Sequence, residues 1–269
     1  MTITGTCLKL ESQIQPDHVV KYFLPLSDHK IEFNQFINQE ISLTFSGKIH
    51  CIATGELIKK SYGQGYSYKA FITLAQCDMC IMKPELCHFE QGTCREPDWG
   101  KENCYQPHVV YLSETSSLKV GITRLKNIPT RWVDQGAIQA IELFRVSSRK
   151  IAGMHEVQLS SLVDDKTDWR KMLTKNQEEV DLVYLKEEIL EKYKKQMSSL
   201  PPIDSFSDNK ITKIIYPGEI APKLTSLSFD KTPVIKDKLL GIRGQYLIFA
   251  KGVLNMRKFQ GYELIFDSY

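Results

Sequence analysis

Two short apolar runs stand at the centre of the chain. Val109–Leu112 and Val120–Ile122 are each of strand length, and the polar stretch 113–117 (SETSS) joins them. Two β-rich runs with a short Ser-rich joint predict a hairpin, with strands over 108–112 and 119–123. Gly121 inside the second strand implies close approach by another backbone or a ligand. The stretch 127–130 (NIPT) reads as a helix start with Pro129 near the first helical position. Residues 131–135 (RWVDQ) then form a short helix that Gly136 ends as a cap. Arg131 and Gln135 are four apart and share a face. Residues 137–146 (AIQAIELFRV) predict a third strand. Ser147 or Ser148 caps a following helix, 147–165, whose stripe holds Ala152, Glu156, Leu159 and Val163. An ionised carboxylate on an apolar stripe is costly unless it is paired or holds a cation. Glu156 is therefore the most informative acid in the chain; the plainer reading puts it at the stripe's edge, half in water.

The flanks carry a different pattern. Residues 1–50 alternate polar and apolar positions and predict two or three strands. Residues 50–71 (HCIATGELIKKSYGQGYSYKAF) predict a strand–turn–strand with turns at Gly55, Gly63 and Gly65. Residues 176–198 form a charged amphipathic helix with acids early and lysines late, as the helix dipole prefers. Its lysine run reads as a solvated helix end. A linker follows over 198–208, and β patterning returns over 210–269. The stretches 41–72 and 239–266 both run strand, glycine, strand, basic pair, Gln-Gly-Tyr, strand. That likeness reads either as a pseudo-symmetric pair packed around the central module or as two ordinary meanders.

Cysteine placement changes the picture. Seven cysteines occur, at 7, 51, 77, 80, 87, 94 and 104, and five of them fall in 77–104. An odd, clustered set argues for metal binding over a disulfide framework. Pro84, Gly92, Pro97 and Gly100 interrupt regular structure there, so the segment reads as mostly loop, and so long a loop needs a staple. Cys77 and Cys80 form a C-x-x-C knuckle, and Cys77, Cys80, Cys87, Cys94 and Cys104 supply the four thiolates of a structural zinc site, with His88 and His108 as further donors. A cysteine-ligated iron–sulfur cluster usually has tighter spacing. Upstream, Cys51, Thr54, Ser67 and Ala70 have the spacing of a zinc ribbon, but a single remaining thiol cannot hold zinc.

Composition adds bounds. The 269 residues are 42% hydrophobic and 25% charged, with net charge +3 and pI near 8.3. That balance permits nucleic-acid binding without requiring it. No apolar run approaches the ~20 residues of a membrane span, and the first residues lack a signal peptide's apolar core. A cytoplasmic protein with no membrane contact is the expectation. Trp132 and Trp169, if exposed, would be platforms for base stacking, although core packing is the commoner fate.

The residues CDMC, PELCH, GTCR, Trp99-Gly100, PHVVYL, KVGITR, PTRW, DQGA and the helix holding Glu156 resemble the bacterial domain-of-unknown-function family 2797. That family is in turn similar to the GIY-YIG nucleases, with KVGIT standing for the second signature. The resemblance implies an α+β fold: a GIY-YIG-like small mixed sheet with flanking helices, preceded by a Cys-rich zinc-binding segment and packed with N- and C-terminal β segments. It divides the chain into an N-terminal β region with a degenerate ribbon (1–76), the Cys-rich segment (77–107), the GIY-YIG-like domain (108–200) and a linker with the C-terminal β region (201–269). It implies lost cysteines at Thr54, Ser67 and Ala70.

The resemblance also implies roles. Tyr111 matches a general base or water-positioning tyrosine, Lys119 takes the place of the second tyrosine, and Gly121 is the signature glycine. Arg131 would steady the scissile phosphate, for which a planar guanidinium suits, and Glu156 would hold Mg²⁺ or Mn²⁺. Gln135 stands where many active members carry histidine, and glutamine is no base near neutral pH. The expected function is nucleic-acid processing, DNA or RNA undetermined, extending to a divalent-metal-dependent endonuclease. The alternative is a catalytically inactive, zinc-containing nucleic-acid-binding or protein-interaction module.

Overall fold

Alternating apolar positions at the start of the chain build five strands, more than the pattern alone predicts: β1 (Thr2–Thr6), β2 (Glu11–Ile14), β3 (Val20–Leu26), β4 (His29–Glu32) and β5 (Glu40–His50). The structure, a computed structural model, describes residues 1–163, 168–174, 179–222 and 224–268. A two-residue strand, β6 (Leu57–Ile58), folds back on β5. The second half of the 50–71 motif is then helical. Ser67 Oγ accepts from the Ala70 amide and caps α1 (Tyr68–Thr73), so the expected second strand is absent there. The reason is local: a serine cap in front of a short run free of glycine and proline favours a helical turn.

The Cys-rich segment is a chain of 3₁₀ turns at Ala75–Cys77, Met79–Ile81, Pro84–Leu86 and Phe89–Gln91, closed by α2 (Pro97–Asn103). Next come the predicted hairpin, β7 (His108–Glu114) and β8 (Leu118–Arg124), helix α3 (Thr130–Asp134), strand β9 (Gln139–Val146) and helix α4 (Arg149–Ser160), capped by Ser148. The last two residues of the predicted 147–165 helix lie outside the described residues, as do the first of the 176–198 helix. After α5 (Trp169–Thr174), helix α6 (Leu182–Met197) starts on an Asp181 cap. The expected linker contains β10 (Ser205–Phe206), and the tail supplies β11 (Ile211–Lys213), β12 (Val234–Arg243), β13 (Tyr246–Phe249), β14 (Gly252–Asn255) and β15 (Tyr262–Ser268).

These elements form an α+β fold of antiparallel sheets with flanking helices. A seven-stranded sheet has the order β1-β15-β5-β12-β13-β14, with β6 on β5; a five-stranded sheet runs β10-β9-β7-β8, with β11 on β9; β2-β3-β4 form a third. The two chain ends therefore interleave in one sheet and do not form separate halves around the centre. The Gln-Gly-Tyr likeness nevertheless has a spatial counterpart. The 64–66 and 260–262 turns touch, with Gln260 Nε2 donating to the Gln64 carbonyl at 3.2 Å.

Face parity around the hairpin positions the site. Val110, Leu112, Val120 and Ile122 belong to one core cluster with Ala152 and Leu159 of α4 and Ile189 and Tyr193 of α6. Val109 and Tyr111 face the other way, into a larger core with Trp132 and Val133 of α3 and strands from both chain ends. Alternation along a strand makes these opposite faces of the hairpin.

Candidate metal centre and the arginine row beside it

Cys80, Cys87, Cys94 and Cys104 line one small cavity, together with Asp78, His88, Phe89, Trp99 and Gly100. The cavity is about 10 Å³, the room one water-sized sphere needs. None of the seven cysteines is in a disulfide. Gly100 lets α2 come this close: a Cβ there would meet the Phe89 ring at 2.9 Å and Cys94 Sγ at 3.2 Å. Burial, followed by the neighbouring Asp78 and Cys87, pushes the Cys80 thiol up to about 12. Burial also raises Cys104, with Cys87 and Cys94 adding to it and Arg149 and Arg124 opposing. The thiols thus sit within reach of one another's charge, in an arrangement that favours thiolate only if a cation joins them.

Asp78, Cys80 and His88 each offer a ligand atom within 4.8 Å of the others. Two of these are already engaged. Asp78 accepts from the Cys80 amide at 3.2 Å and pairs with Arg95 Nε at 2.7 Å. His88 Nδ1 lies 2.8 Å from Thr93 Oγ1. The residues that could hold a metal are therefore this group and the three further thiols on the same cavity.

The structure divides the predicted Cys77–Cys80 pair. Cys80 lines the cavity and Cys77 does not; burial, Cys51 and Glu96 raise the Cys77 thiol against Arg95. At Cys51 burial works upward, but hydrogen bonds from the Thr54 side chain and from the Ser67, Ala53 and Thr54 amides outweigh it and bring the thiol to about 7. Thr54 and Ser67, two of the three replaced ribbon positions, now aim donors at the remaining sulfur.

The segment is tied to the central sheet at α4. Arg149 Nη2 donates to the Ile81 carbonyl at 2.7 Å, and its amide donates to the Cys104 carbonyl at 2.8 Å. Lys150 pairs with Glu90 at 2.9 Å, and Arg124 donates to Asn103 Oδ1. Around this seam four guanidinium groups collect. Burial lowers Arg149, which also feels Cys104 in the opposite sense and Arg131 and Arg124 in the same sense. Burial lowers Arg257, with Arg131 acting in the same sense and Asp134 and Tyr66 opposing. Among the described residues none of Arg124, Arg131, Arg149 and Arg257 forms an ion pair with a carboxylate. His108 is buried in the same seam. Its Nδ1 is 2.7 Å from the Gln106 carbonyl and Nε2 has no partner; burial, with Arg149 and Arg124, lowers it to about 4.

The residues expected to be catalytic are only partly brought together. Tyr111 and Gly121 are paired across the hairpin, and a Cβ at Gly121 would come within 2.6 Å of the Tyr111 hydroxyl. The glycine makes room for the phenol ring, not for a ligand. Tyr111 is fully buried, stands edge-on to Trp132 at 5.8 Å and donates to Gln135 Oε1 at 2.6 Å. Lys119 shares the Tyr111 face by alternation. Arg131 is half-buried in the arginine row. Glu156 is half-buried on α4, which covers the opposite face of the hairpin, about two helical turns beyond Arg149. Trp132 is a core residue, and Trp169 stacks on Tyr246 at 5.8 Å, so neither is the open platform expected of it.

The family model described as "Protein of unknown function (DUF2797)" matches residues 38–264. The chain belongs to this family. No curated protein and no solved structure gives a match. The DUF2797 match spans the 50–71 motif, the cysteine cavity, the hairpin and the start of β15, and so takes in every residue of the site. Sequence reasoning singled out Arg131, the cysteines and, as a further metal donor, His108, which does not line the cavity; it missed Arg124, Arg149 and Arg257. The arginines come from three distant segments, and no local spacing joins them; only the fold does.

Proposed function

We propose that the chain is a zinc-pinned nucleic-acid-binding protein whose arginine row, beside the central hairpin, binds phosphate without cleaving it. The observation that carries this reading is the arginine row. Like charges held together with no carboxylate paired to any of them call for an anion. Zinc on Cys80, Cys87, Cys94 and Cys104 would carry two net negative charges and so supply the counter-ion for Arg124 and Arg149. Four soft sulfur donors suit zinc in a tetrahedral site, and Asp78 and His88 are then supports around it. Arg131 and Arg257 are left to meet a phosphate from outside, the task the GIY-YIG-like layout gives to Arg131. Tyr111 argues against cleavage: a fully buried phenol bonded to an amide oxygen cannot activate a water at a solvent-open phosphate.

The test pairs binding with cleavage. Fluorescein-labelled DNA and RNA oligonucleotides are titrated with zinc-loaded protein, then incubated with Mg²⁺ and with Mn²⁺. Binding that weakens as salt rises, with the strands left intact, is the expected result. Cleavage that disappears in Glu156→Ala would overturn the non-catalytic half, and no binding at low salt would overturn the whole.

A further inference from the structure

The 50–71 motif keeps a single cysteine, Cys51, and its outer face has an unusual composition. Residues 57–76 contain Lys59, Lys60 and Lys69 and no carboxylate. All three lysines are exposed, and among the described residues none of them is ion-paired. The neighbouring lysine of the same sheet is different: Lys48 pairs with Glu263 at 3.3 Å. The unneutralised charge therefore begins at β6 and belongs to this motif.

Aromatic rings lie between the lysines. Lys60 Nζ sits 5.3 Å from the Tyr62 ring centre, and Tyr62 meets Tyr68 edge-on at 5.3 Å. Tyr68 is 60% exposed on the first turn of α1. A tyrosine held by an aromatic neighbour, with its body in water and cations around it, is a stacking platform for a base. The turn at the tip leads back to the arginine row: Arg257 Nε donates to Gln64 Oε1 at 3.0 Å, and Arg257 feels the charge of Arg131. Cations thus recur from Lys59 and Lys60 to Arg257 and Arg131, and the carboxylate that Arg257 also feels, Asp134, is paired with Lys9.

We propose that this face is the track of a single-stranded nucleic acid, with backbone phosphates on Lys59, Lys60 and Arg257 and one base on Tyr68. Duplex suits the track poorly, because its bases are already stacked and offer no face to Tyr68. The inference rests on the nucleic-acid reading above and says where, and in which form, the ligand lies.

The probe is a labelled 20-nucleotide oligo(dT), with oligo(U) of the same length and a 20-base-pair duplex alongside, titrated into zinc-loaded protein. The expected order is single strand tighter than duplex. Tyr68→Ala is expected to weaken the single strand about tenfold and leave the duplex unchanged. Lys59→Gln with Lys60→Gln is expected to flatten the salt slope by about 1.4 for the two contacts. If the wild type binds no oligonucleotide, the underlying reading fails. If it binds but the Tyr68 and lysine variants match it, the reading stands and this track is overturned. All three positions are on the surface, and circular dichroism of each variant checks that folding is intact.

Discussion

The Tyr111 hydroxyl spends its hydrogen bond on Gln135, and the ring fills the space that Gly121 leaves open. Both contacts are structural, so their loss should be read in stability. Tyr111→Phe is expected to cost about 1–2 kcal/mol, since it strands a buried amide oxygen. Gly121→Ala is expected to cost about 1–3 kcal/mol by overpacking. Urea midpoints measure both, and an unchanged midpoint in Gly121→Ala would contradict the packing described. His108 gives a pH signature. Its imidazole is held to about 4 against an ordinary 6.5, so as pH falls the unfolded chain takes up a proton first. Its contribution is complete above about 6.5 and is lost as pH falls through 4, up to about 3 kcal/mol in all. The stability gap between wild type and His108→Gln should therefore narrow over that window, and a constant gap would refute the assignment. Such residues mark the limit of what the sequence reveals. Glu156 could be placed near the edge of a helical stripe from spacing alone, whereas the unpartnered His108 Nε2 depends on Arg149 and Arg124 arriving from other elements.

The 3₁₀ turns between Ala75 and Gln91 have few buried side chains of their own, and the proposed zinc would add to their stability. Cys80→Ser and Cys104→Ser are expected to lose the metal, while Asp78→Asn and His88→Gln retain it. Metal content by inductively coupled plasma mass spectrometry distinguishes these; retention in Cys104→Ser together with loss in Asp78→Asn would assign the ion to the Asp78–Cys80–His88 group. The strands of the hairpin, α3 and α4 were readable because their caps and apolar periods are local. The split of Cys77 from Cys80 was not. A C-x-x-C spacing permits a shared ion, but Cys80 lines the cavity with three other thiols while Cys77 feels Cys51, which lies far away in sequence.

At the scale of the whole molecule, the chain ends close the fold. β15 lies between β1 and β5, and its Leu264 and Phe266 are fully buried. Phe266→Ala is expected to cost about 3–5 kcal/mol, a loss that thermal unfolding would register and whose absence would show the tail to be dispensable. The β character of both ends was legible from alternation, but their interleaving was not, because register between distant strands leaves no local trace. The resulting core holds α3 against strands from both ends, and so sets Arg131 beside Arg257. That pairing is the heart of the functional account, and salt-dependent binding tests it most directly. The affinity of zinc-loaded protein for a labelled oligonucleotide is measured across a range of salt concentrations, for wild type and for Arg131→Gln with Arg257→Gln. The account predicts a wild-type slope that flattens by about 1.4 in the double variant, with the oligonucleotide uncut. Identical slopes for the two proteins, or no binding by either, would contradict it.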